Sequence, residues 1–187
     1  IGIGTKIGIT KIFKKNKISI QPSVTYEYIN STFSFIERTR ELEFDRNWNL
    51  HHNRGSQKLL NVSLNSSFSN NATLNYSFEN MKLSNSNKIR NSLYALMKKD
   101  SFVVNLSGSF LKSISEIENI NFFQHNNSIT KKGKFNIVIL NEGEVLENQN
   151  TNNSFNKLLI SSSIKTAFLP GLKLEYINRI DKNELIN

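Results

Sequence analysis

Alternation of apolar and polar side chains with a period of two runs through nearly the whole chain. Because successive side chains of a strand point to opposite faces, this pattern demands half-buried or two-faced β-structure. The clearest case is Ile18, Ile20, Pro22, Val24, Tyr26 and Tyr28 on one parity, with Lys17, Ser19, Gln21, Ser23, Thr25 and Glu27 on the other. Similar stripes run through Leu60, Val62, Leu64 and Phe68, through Ala72, Leu74, Tyr76 and Phe78, and through Ile89, Leu93, Ala95 and Met97. They continue through Phe102, Val104, Leu106 and Phe110, then Ile120 and Phe122, then Phe135, Ile137 and Ile139. The last are Leu158, Ile160, Ile164 and Phe168, followed by Leu172, Leu174 and Tyr176.

Short turn chemistries separate many of these stripes: Asn70-Asn71, Lys98-Lys99-Asp100, Lys131-Lys132-Gly133 and Pro170-Gly171. Such turns join antiparallel neighbours. Longer polar connections are expected at Lys82 to Asn87, Lys112 to Glu118 and Asn141 to Asn156, so short and long connections alternate along the chain. The reading gives about eleven strands of roughly 10 to 13 residues, where globular sheets average five or six.

Strands that long need a reason, and an outer-membrane barrel supplies one. Its tilted strands cross the hydrocarbon with apolar residues outward and polar residues inward, and closure hides the edges that lipid cannot solvate. The expected fold class is therefore all-β, an antiparallel meander of long strands forming part of a transmembrane outer-membrane β-barrel. Residues 1–187 read as one barrel segment of a larger protein, since the chain opens at Ile1 with no signal region before the first stripe. An irregular region spans about 37–56. A soluble β-sandwich, with the same stripes meeting across a core, is the competing architecture; a mean hydropathy of −0.41 favours it, and the scarcity of Pro and Gly punctuation opposes it.

Composition removes other classes. No apolar run reaches the roughly 20 residues of a spanning helix. The chain has no cysteine, hence no disulfide framework, thiolate cage or cysteine nucleophile. A net charge of +9 raises nucleic acid as a partner, but the lysines gather near turns (Lys14, Lys15 and Lys17; Lys98 and Lys99; Lys131, Lys132 and Lys134) instead of lining one face, so no nucleic-acid groove is expected. With 29 asparagines and many serines, N-x-S/T matches arise by chance and carry no weight. His51, His52 and His125 are too few and wrongly spaced for zinc, phosphate-loop and nucleophile-elbow motifs are missing, and no cofactor, metal or enzymatic activity is expected.

One segment is not generic. From Glu37 to Leu50 the chain carries its densest charge cluster and its single tryptophan. In extended conformation Glu37, Thr39, Glu41, Glu43 and Asp45 share one face, which must look into water or onto protein. Arg38, Arg40, Leu42, Phe44, Arg46 and Trp48 share the other, where arginine heads can stack on the rings or pair with carboxylates. The run Glu43-Phe44-Asp45-Arg46-Asn47-Trp48-Asn49-Leu50, preceded by Arg38 and Arg40, resembles the signature of the giant translocon barrel of the type IX secretion system, the gliding-motility surface protein family called SprA or Sov. The resemblance covers some 13 residues. It implies a protein-conducting pore in the outer membrane of Bacteroidota-like bacteria that passes folded cargo, working with a periplasmic plug and a smaller cargo-collecting barrel protein, in contact with membrane lipid. It further implies that Arg38, Arg40, Glu41, Glu43, Phe44, Asp45, Arg46, Trp48 and Asn49 act as a scaffold or contact signature and do no bond chemistry. The barrel of a plugged nutrient transporter or porin, and a soluble β-rich adhesin, remain the alternatives.

Overall fold

The computed structural model describes residues 4–31, 56–115, 119–133, 135–148, 151–164 and 172–183. All regular structure among them is β. The strands are β1 (Gly4–Thr10), β2 (Phe13–Lys15), β3 (Ile18–Ile29), β4 (Gln57–Phe68), β5 (Ala72–Lys82), β6 (Ser86–Lys99), β7 (Phe102–Ser115), β8 (Asn119–Lys131), β9 (Phe135–Glu147), β10 (Thr151–Ile164) and β11 (Leu172–Asn183). They form one antiparallel meander in the order β1-β3-β4-β5-β6-β7-β8-β9-β10-β11, with β2 also on β3. Every contact between elements joins sheet neighbours, so the described residues build a single layer whose edges are β1 and β11.

Strands β1 and β2 are one strand interrupted by a proline on its partner. Both hold the same register on β3, Thr10 opposite Ser23 and Phe13 opposite Ile20. Between them Lys11 N–H still donates to the Pro22 carbonyl at 3.2 Å, but Pro22 has no N–H to return the bond.

The connections differ from the sequence expectation. Strands β5 and β6 are joined by residues 83–85 alone, β7 and β8 by 116–118, and β9 and β10 by 148–150. Half of the polar stretch 82–87, and the described residues 112–115, 141–147 and 151–156 of the other two, are thus strand, because the ends of a long strand lie in water, where Asn, Ser and Lys are at home. The turn at Lys98-Lys99-Asp100 falls two residues later, at Asp100-Ser101. Asn16, Ser69 and Asp100 take the left-handed conformation that closes the tight hairpins at one rim. Segment 30–56 is the long connection: Ile29 and Gln57 are paired and β3 lies directly beside β4, so it begins and ends at the opposite rim, and 32–55 lie outside the described residues. Phe168 and Pro170-Gly171 lie outside the described residues.

Candidate functional site: the two faces of the sheet

Register assigns each side chain to one of two faces. The apolar face carries Ile7 and Ile9 of β1 and the β3 stripe from Ile18 to Tyr28. It continues with Leu60, Val62, Leu64 and Phe68, with Leu74, Tyr76 and Phe78, and with Leu93, Ala95 and Met97. One row illustrates its continuity: Ile18, Phe68, Ala72, Met97, Val104, Ile129, Ile139, Ile160 and Leu174 are paired in turn across nine strands. Among the described residues no layer covers this face: Leu93 is 50% exposed, Met97 55% and Tyr176 62%. A row of large side chains left open to water would cost heavily if water were its surroundings.

The opposite face is polar and concave. Ser23, Ser63, Ser77, Ser92 and Ser109 are paired in one row across five strands, and Gln124 and Glu144 continue it. The first two hydroxyls lie 2.6 Å apart. Glu79 is opposite Arg90 in a neighbouring row, and Asn61 Nδ2 donates to the Glu79 carboxylate at 3.3 Å. Toward the far edge Lys157 Nζ lies 3.4 Å from Glu142 and 3.0 Å from Glu175. A cleft of about 710 Å³ is bounded by residues from Ser63 of β4 to Phe155 of β10, so the sheet wraps around this face. Hydroxyls, amides and paired charges are what a hydrated conduit requires of its wall.

Two features depart from the simple alternation. First, Ile120 and Phe122 do not belong to the apolar face: they pair with Ser113 and Leu111 on the polar face, and the apolar face of β8 is carried by Phe123 and Ile129. With Met81, Leu111, Leu59 and Leu83, Phe122 makes a small apolar cluster near the rim opposite the tight hairpins, in which Met81 is fully buried. Adjacent apolar doublets, Leu59-Leu60, Phe110-Leu111 and Phe122-Phe123, are the sequence signal for it, since a doublet puts one side chain on each face. Second, a polar island interrupts the apolar face. His125 Nε2 is 2.8 Å from Asn141 Oδ1, and Asn141 Nδ2 donates to Asn156 Oδ1 at 2.9 Å. His125 stands between Gly108 and Gly143 in its row.

The charged signature, Arg38, Arg40, Glu41, Glu43, Phe44, Asp45, Arg46, Trp48 and Asn49, lies outside the described residues, as do His51 and His52. Among the described residues no group of three or more His, Cys, Asp or Glu side chains is placed to hold a metal. No protein-family model matches the chain, and comparison with curated proteins and with solved structures gives no match.

Proposed function

We propose that this chain is a wall segment of a transmembrane outer-membrane β-barrel, its apolar face toward lipid and its polar, concave face toward an aqueous conduit. The carrying observation is the combination of an uncovered apolar face with an inward-curving face of serine, asparagine and paired charge, on strands of 11 to 14 residues from β4 to β10. A sandwich would place a second layer against the apolar stripes, and none is present among the described residues. In this reading edge strands β1 and β11 are met by further strands of a closed barrel, since lipid leaves no partner for an open edge.

The narrower proposal is a protein-conducting pore of type IX secretion in the outer membrane of Bacteroidota-like bacteria, exporting folded cargo for gliding motility and the cell surface with a periplasmic plug and a cargo-collecting barrel. Its support is the run Arg38 to Leu50 alone. The wall is scaffold and conduit, with no reaction assigned to it. Immunoblotting the source cell's detergent-resolved outer membrane separates the readings. A giant outer-membrane band supports the export pore; a receptor-sized one favours a nutrient transporter or porin. Recovery in the soluble fraction without detergent overturns the barrel altogether. For the signature, Asp45→Ala with Arg46→Ala is expected to impair export while leaving membrane insertion intact, and normal secretion by the double variant removes those residues from the account.

A further inference from the structure

The hairpin rim concentrates positive charge, and Lys15, Lys99 and Lys131 stand on its apolar face, the last two beside an aromatic ring. Lys14, Lys15 and Lys17 flank the β2–β3 turn, Lys98 and Lys99 precede the β6–β7 turn, and Lys131 and Lys132 begin the β8–β9 turn. Antiparallel pairing brings all of these turns to one rim, where Asp100 and, three residues into β11, Glu175 are the acidic residues described. At the other rim the lysines are interspersed with acids: Lys58, Lys82, Lys88 and Lys112 share it with Glu27 and Glu147.

Within the collar, Lys99, Phe102 and Lys131 are directly paired across β6, β7 and β8 on the apolar face. The Lys131 ammonium sits 5.6 Å from the Phe102 ring, and Phe102 is 46% exposed. The same motif recurs at the β1–β2 strand, where Lys11 Nζ is 5.0 Å from the ring of Phe13. Ring and ammonium together match a bilayer's boundary layer: the ring takes the depth of the glycerol and upper acyl chains, while the flexible lysine stem extends to the headgroup. Nucleic acid would use the charges but leave the adjoining rings and the apolar face below them without a partner.

We propose that this collar binds the anionic headgroups of a phospholipid leaflet, with Lys99 and Lys131 holding a headgroup phosphate on either side of Phe102. The proposal rests on the reading of the apolar face as lipid-facing, and it fixes which rim meets the anionic surface. Attraction of this kind is worth about a fivefold preference per lysine near the surface and weakens as salt shortens the screening length.

The test uses the full chain carrying Trp48→Phe and Phe102→Trp, so that one indole reports from the collar. It is reconstituted in phosphatidylcholine vesicles containing either brominated phosphatidylglycerol or the same fraction of brominated phosphatidylcholine. Quenching is expected to favour phosphatidylglycerol at low salt by more than the roughly fivefold of a single lysine, and to fall toward parity in high salt. In the Lys99→Glu/Lys131→Glu background the preference should disappear while circular dichroism retains the sheet. Equal quenching by both lipids with Lys99 and Lys131 in place, and the protein inserted, overturns the collar and leaves the barrel standing. Absence of quenching by either lipid, with the protein folded, overturns the lipid-facing assignment itself. Should the double charge reversal fail to fold, Lys99→Gln/Lys131→Gln gives the same comparison without introducing acidic groups.

Discussion

At Gly143 the absence of a side chain is required by close approach. A Cβ there would come within 2.7 Å of both the His125 ring and the Phe155 carbonyl oxygen, whereas at Gly108 the nearest atom is the Gln124 carbonyl at 3.6 Å. Gly143→Ala must therefore shift backbone on β10, at a cost of about 1–3 kcal/mol, while Gly108→Ala fits. Chemical denaturation of the two variants in lipid checks this, and equal stabilities would contradict the described packing. Removing the ring with His125→Ala should not rescue Gly143→Ala, because the Phe155 carbonyl remains. The same scale offers a probe of lipid contact. Val62 is 38% exposed in the middle of the apolar face, and Val62→Arg is expected to cost about 2–4 kcal/mol in a bilayer if it faces the hydrocarbon mid-plane. Unchanged stability in the membrane would mean that this position does not face lipid.

Strand existence and facing were legible in the sequence wherever serine and asparagine alternate with Ile, Val, Leu or Tyr, as in β3, because period two is then unbroken. Strand ends were not legible. Residues Ser86 and Asn87, and Asn152 to Asn156, read as loop by composition, yet the rims of long strands are solvated and set no apolar requirement. The polar-face cluster around Met81 was missed for a related reason: a stripe was assigned to the parity with most apolar residues, which in β8 put Ile120 and Phe122 on the wrong face. Pairing corrects this, and periodicity within one strand could not. At Pro22 a local residue dictates an element boundary. Replacing it with valine restores the N–H that the Lys11 carbonyl can accept, joining β1 to β2. The two opposing effects on stability, a regained bond and a looser unfolded chain, are each about 1 kcal/mol, so the informative measurement is hydrogen exchange. The amide at position 22 should be protected like its neighbours in β3; exchange at the rate of an open loop would show that something besides proline breaks the strand.

For the whole sheet the arrangement of the apolar face is more informative than its amount. On β3 the stripe extends from Ile18 away from the hairpin rim as far as Tyr28. On β10 the residues in the rows of Val24, Pro22 and Ile18 are Ser154, Asn156 and Ile160, so apolar character there is held nearer the hairpin rim. The apolar band thus shifts toward the hairpin rim by β10, with the His125–Asn141–Asn156 island interrupting it and Phe123 and Val145 on the island's far side on β8 and β9. An oblique band is what a level hydrocarbon slab prints on tilted strands: a tilt of about 40° displaces the band by about one residue per strand. A soluble sheet has no reason to keep such a drift. The charged signature lies in the long connection outside the described residues, and its reading rests on the order of its side chains. The drift itself is measurable because the chain has no native cysteine to compete with an introduced one. Single cysteines at Ile18, Met97, Ile129 and Ile160, all in one row, would be spin-labelled in lipid bilayers and their immersion depths compared. Depth is expected to change progressively along the row, from near the headgroups on β3 toward the mid-plane on β10. One constant depth would mean upright strands and remove the tilt from the barrel argument, and free water access at all four sites would return the sheet to the soluble class.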